Sequence, residues 1–226
     1  MLALVGSGEY LPPMEPVDRQ LMDRLQQAPD VVCLPTAAGQ EGEERIRYWS
    51  DLGVRHFARL GAKVQSLPII DRAGASETRW AERIAEANFV YLSGGRPDYL
   101  HRALQDTPVW RAILSVHQRG GLVAGCSAGA MIMGARLLGF PGLQQAFGLI
   151  PGVVIVPHFD EIPAAFVKTV HYLVARDKTV VGIEGNTALV VDQDRQEVLG
   201  SGGVTIWNHR ERARYTAGQF VPRPGN

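Results

Sequence analysis

Short apolar runs alternate with longer amphipathic ones over most of the chain. Leu2–Val5, 31–34, 64–70, Phe89–Leu92, 122–124 and Val153–Val156 are rich in Val, Leu and Ile, are bounded by Gly or Pro, and read as strands. Between them, residues 15–27, 41–60 and 76–87 carry apolar side chains at helical spacing. In the second stretch Ile46, Trp49, Val54 and Phe57 share one side. Two further helices are predicted at 97–104 and 108–119, each opening on a proline where a first turn tolerates one, and another at 163–175. From Thr179 the pattern changes to short strands at 180–183, 188–191, 197–199 and 204–207, separated by turn residues such as Ser201-Gly-Gly. This end of the chain is expected to be antiparallel. The alternation before it predicts an α/β fold in three layers, a mostly parallel sheet with helices on both faces, with residues 1–226 as one domain. Ligands in such folds collect at the carboxyl ends of the strands.

Composition narrows the function classes. Lys plus Arg number 23 and Asp plus Glu number 23, so no net field attracts nucleic acid or an anionic membrane. The run Arg210, Arg212, Arg214 is interrupted by Glu211 and reads as a solvated strand face. The two cysteines, Cys33 and Cys126, each lie in an apolar run, which argues against a disulfide framework and fits a reducing compartment. Neither belongs to a Cys-x-x-Cys or His-rich cluster, so no metal and no cofactor are expected. The start Met1-Leu-Ala-Leu-Val-Gly6 is one strand long and lacks a basic flank, so neither a signal peptide nor a membrane span is expected there, and the expected location is cytoplasmic.

The densest chemical signal is Gly125-Cys126-Ser127-Ala128-Gly129, a G-x-S-x-G between an apolar strand and a run of small residues. In that setting Ser127 sits on a tight turn that projects its hydroxyl, and its neighbours must be nearly free of side chain. The pleat then sends Cys126 into the protein as a small buried hydrophobe. A serine nucleophile needs a base, and His158 follows Val153–Val156 and Pro157 at a strand end, on the edge expected to carry Ser127. The acid that orients a base could be Asp160, Glu161 or Glu184, the last also at a strand end. Tyr91-Leu-Ser-Gly94-Gly95-Arg96 is a third strand end, whose glycines leave N–H groups for an oxyanion, with the Ala128 N–H as second donor. Arg96 is placed to meet a substrate carboxylate, and Asp160 and Glu161 to favour a cationic peptide amine.

Taken in order, Gly94-Gly95, Gly125-Cys-Ser-Ala-Gly-Ala130, Pro157-His158-Phe159 and Gly182-Ile-Glu-Gly-Asn-Thr-Ala-Leu189 resemble the dipeptidase E and cyanophycinase family of serine peptidases. The resemblance implies a class I glutamine amidotransferase-like fold, Ser127 as nucleophile and His158 as base, with Gly94 or Gly95 and Ala128 forming the oxyanion hole. Dipeptidase E takes an acid shortly after its nucleophile, and the stretch 131–145 has none. The cyanophycinase branch places it near the Gly-Ile…Thr-Ala-Leu segment, which points to Glu184. That segment often carries paired acids, and here Gly185 stands in the second position. The family's substrates carry aspartyl groups, so the expected partner is a small peptide, aspartyl or β-aspartyl peptides included. Nucleic acid and membrane are not expected partners, and a homodimer is left open. Two rival readings make different demands. An α/β-hydrolase esterase would take His171 or His209 as its last member, and an inactive relative would only bind a peptide or small molecule.

Overall fold

The computed structural model describes residues 1–139, 142–163, 169, 174, 178–193 and 195–222. In chain order the first half comprises β1 (Leu2–Val5), α1 (Glu15–Met22), β2 (Asp30–Leu34), α2 (Glu43–Arg59), β3 (Lys63–Ser66), α3 (Arg72–Ala75), α4 (Thr78–Glu86), β4 (Phe89–Leu92), α5 (Pro97–Leu104) and α6 (Pro108–Gln118). The second half comprises β5 (Leu122–Cys126), α7 (Ala128–Met131), β6 (Arg136–Gly139), β7 (Gly142–Gln145), β8 (Val153–Val156), β9 (Thr179–Ile183), β10 (Thr187–Asp192), β11 (Arg195–Gly200), β12 (Gly203–Trp207) and β13 (Arg212–Thr216).

Seven strands form one sheet in the order β11-β10-β1-β5-β4-β2-β3. Its five-strand body from β1 to β3 is parallel, and β10 and β11 close one side antiparallel. Every residue of β1, β4 and β5 is buried, as strands covered on both faces must be. The pleat divides their side chains. Ala3, Val5, Phe89, Tyr91, Ala124 and Cys126 meet α1 and α2 through Leu21 and Phe57. Leu2, Leu4, Val90, Leu92 and Val123 face the opposite way, toward α4, α5 and α6.

The chain after residue 135 departs from the expectation of one sheet. Strands β13-β12-β9-β8-β6-β7 make a second sheet, with β8 parallel to β6 and β9. Ile155, Ile183 and Ile206 of this sheet enter the same apolar cluster as α4, α5 and α6, so the two sheets share a core. The hairpin β6–β7 was not anticipated because its strands are Leu, Gln, Arg and Gly, without the β-branched residues that mark a strand. Strand β3 stops at Ser66, short of 70, since Pro68 has no N–H for a ladder. Helix α1 ends at Met22 because only the partly buried Leu25 continues its apolar face. The expected helix at 163–175, with His171, lies outside the described residues except at 163, 169 and 174, and the tail from 223 lies outside them entirely. No helix among the described residues is long and apolar enough to cross a membrane.

Candidate active site

The carboxyl ends of β1, β4 and β5 in the first sheet meet those of β8 and β9 in the second. Ser127 stands where β5 turns into α7, at φ 49° and ψ −108°. This is a conformation that costs a non-glycine residue about 1–3 kcal/mol and persists only where its surroundings enforce it. Two of those surroundings are glycines. A Cβ on Gly125 would lie 2.3 Å from the Gly129 carbonyl carbon, and one on Gly129 would lie 2.4 Å from the Leu92 oxygen. The Ser127 N–H donates to the Val5 oxygen at 3.0 Å, which fixes the elbow to β1. Cys126 points the other way and is fully buried. Burial first, then the nearby Glu9 charge, pushes its thiol well above the ordinary range, so it is not a nucleophile.

His158 leaves the end of β8 at φ 52°, a second strained residue. Its Nε2 lies 3.2 Å from Ser127 Oγ, within reach for proton transfer. The two side chains therefore come from different sheets, where the sequence had suggested a single edge. Nδ1 of the same ring lies 3.3 Å from Glu161 Oε2. Glu161 reaches it because its N–H closes a turn onto the His158 oxygen.

Glu184 is not brought to the imidazole. Its oxygens accept from Arg214 Nε and Nη2, both at 2.6 Å, and from the Gly203 N–H at 2.8 Å. The Arg214 hydrogen bonds hold its carboxyl below the usual range. A bidentate arginine outcompetes a histidine for this acid. Asp160 accepts from the Gly185 N–H at 2.9 Å. The Gly94 N–H is also engaged, donating to Glu9 Oε1 at 2.9 Å, whereas Gly95 is exposed at φ 140°. Arg96 sits beside them with its guanidinium on Gln40 and Asp98, so its charge is shared. His209 is exposed and accepts from Arg210, away from any serine contact among the described residues. No three His, Cys, Asp or Glu side chains among the described residues converge to hold a metal ion. Sequence reasoning passed over Glu9. The signal was its place directly after Gly6-Ser-Gly8 at the end of β1.

Comparisons with known proteins give the chain its family. A cyanophycinase from Trichormus variabilis is 31% identical over 192 residues, covering 78% of this chain and 62% of its own length. The chain thus spans about three fifths of the curated relatives it matches first. A crystal structure of a peptidase from an acI-B1 Actinobacterium superposes with a TM-score of 0.90 at 35% identity, covering 98% of this chain and 96% of that one. A candidate peptidase E protein from Listeria monocytogenes EGD-e shares the fold, with a TM-score of 0.60 at 19% identity over 96% of this chain and 98% of its own. The model of peptidase family S51 matches residues 2–199, an extent that holds the elbow, the histidine turn and every strand from β1 to β10, and the chain belongs to that family.

Proposed function

We propose that the protein is a serine peptidase that hydrolyses short peptides, with Ser127 as nucleophile and His158 as general base. The observation that carries this is the 3.2 Å approach of His158 Nε2 to Ser127 Oγ, made by two residues both held at positive φ. As Oγ forms its bond to the peptide carbonyl carbon, its proton passes to Nε2. The oxyanion of the tetrahedral adduct meets the Ala128 N–H, which as a first-turn donor has no partner within its helix, and the Gly95 N–H. The imidazolium then protonates the leaving amine as the C–N bond breaks. Water repeats the sequence on the acyl-enzyme, with the same ring taking and returning the proton.

Glu161 is the carboxylate that touches the ring, so it takes the orienting role that the family resemblance would give to Glu184. The exposed Asp160 and Glu161 at the mouth favour a substrate with a free amine. Aspartyl or β-aspartyl side chains would meet Arg96, the cation beside the oxyanion glycines. The family resemblance makes an aspartyl side chain a natural first choice for assay.

The test is labelling by a fluorophosphonate together with turnover of matched free and N-acetylated peptides, with and without an Asp at the cleaved bond. Ser127→Ala should abolish the label and lower kcat by several orders of magnitude in a folded protein. Arg96→Ala should weaken only the Asp-containing substrates. Label and turnover that survive Ser127→Ala would refute the assignment.

A further inference from the structure

Glu9 is buried, 7% exposed, and forms no ion pair among the described residues. Its two hydrogen bonds run to the two segments that flank the nucleophile. Oε1 accepts from the Gly94 N–H at 2.9 Å, and Oε2 accepts from the Cys126 thiol at 3.0 Å. A buried carboxylate without a cation is costly to keep, and an apolar side chain of similar size would fill the space at lower cost. What an apolar side chain cannot do is accept the Gly94 N–H.

That bond decides how the strap 93–96 presents itself. The Ser93 N–H donates to Leu34, the Arg96 N–H to Ala37, and the Gly94 N–H to Glu9. Among the described residues the Gly95 N–H is the one donor of the strap left without a partner. Steric contacts pin the same segment. A Cβ on Gly94 would lie 2.7 Å from Glu9 Oε1 and 3.3 Å from Ser127 Cβ, and one on Gly95 would lie 2.6 Å from the Ala37 carbonyl. The strap is thus clamped between Glu9 on one side and Ala37 on the other, directly beside the nucleophile.

We infer that Glu9 is a positioning residue for this site: its carboxylate holds the Gly94 N–H away from the substrate and so aims the Gly95 N–H at the oxyanion. This rests on the peptidase reading above. Gly94, one of the two glycines considered for the oxyanion hole, then serves as the anchor and Gly95 as the donor.

The experiment compares Glu9→Leu with Glu9→Gln. Leu matches the volume and removes a buried charge, so it should fold with an unchanged or higher melting temperature, but it leaves Gly94 unheld. Its kcat should fall about a hundredfold, the scale of a misplaced catalytic group, with KM within about threefold. Gln keeps an acceptor for Gly94 and should stay within about fivefold of wild type in kcat. Amide hydrogen exchange on 15N-glycine protein supplies a readout independent of turnover. Gly94 should be protected in wild type and Glu9→Gln and exposed in Glu9→Leu, with Gly95 exchanging fast in all three. The inference is overturned by full kcat in folded Glu9→Leu, by a Gln variant as impaired as the Leu variant, or by an unprotected Gly94 in wild type. Those outcomes leave the nucleophile assignment standing. A wild type inert to both fluorophosphonate and peptides sinks the peptidase reading, and this inference with it.

Discussion

Replacing Glu161 by Gln removes the carboxylate 3.3 Å from His158 Nδ1 while keeping the shape of the side chain. Both partners are open to solvent, with 40% and 64% of their side chains exposed. Two unit charges at that separation in bulk water attract by about 1.3 kcal/mol, and exposed pairs deliver roughly 0.2–1 kcal/mol in practice. In the proposed mechanism the ring gains a positive charge when it takes the serine proton, so this attraction favours the transition state over the ground state. The expected loss in kcat/KM is therefore between about 1.4-fold and tenfold, far smaller than for Ser127→Ala. It should shrink further in high salt, because an exposed pair is screened. The assay is peptide turnover by wild type, Glu161→Gln and Glu184→Gln at low and high ionic strength. Glu184→Gln should cost little in kcat, since its carboxylate is spent on Arg214 and Gly203. A hundredfold or greater loss in Glu184→Gln beside an unaffected Glu161→Gln would refute the reasoning. It would mean that Glu184 leaves Arg214 and reaches the imidazole when substrate binds.

Cys126→Ser should retain activity to within about tenfold, because a hydroxyl still donates to Glu9 and the elbow is untouched; near-complete loss would put the elbow one residue earlier. His56→Ala should destabilise the fold by about 3 kcal/mol in urea unfolding. His56 Nε2 lies 2.7 Å from Asp18 in a pair with no side-chain exposure, and its removal strands a buried acid whose pKa burial already raises. The Glu184 carboxyl is held low by Arg214, so its contribution to stability is full above the unfolded value and is lost as pH falls through the lower folded one. Below about pH 4.3, melting temperature should therefore fall more steeply for wild type than for Arg214→Ala, and parallel acid profiles would show that the pair adds nothing.

Local pattern was enough for much of this protein. The bounds of β1, β4, α5 and β8 follow directly from short apolar runs and from prolines in first turns, because those signals act within a few residues. The glycines around Ser127 announce an elbow for the same reason: a backbone that must pass within van der Waals distance of its neighbours cannot carry a side chain there. His158 was legible as a strand-end histidine close to an acid.

Partnership was not legible, because it is settled between segments far apart in sequence. Nothing local says that β6 to β9, β12 and β13 leave the first sheet for a second, so Ser127 and His158 were expected on one edge and instead face each other across two. Glu184 has the right position for an orienting acid, and its fate depends on Arg214, thirty residues later, which β13 lays alongside it. Gly94 and Gly95 are indistinguishable as oxyanion donors until β1 delivers Glu9, eighty-five residues earlier, beneath one of them. The sequence by itself determined which side chains could do chemistry and which turns would present them. Only the tertiary structure decided which hydrogen bonds each would keep, because a donor or carboxylate goes to the best partner that folding brings within about 3 Å.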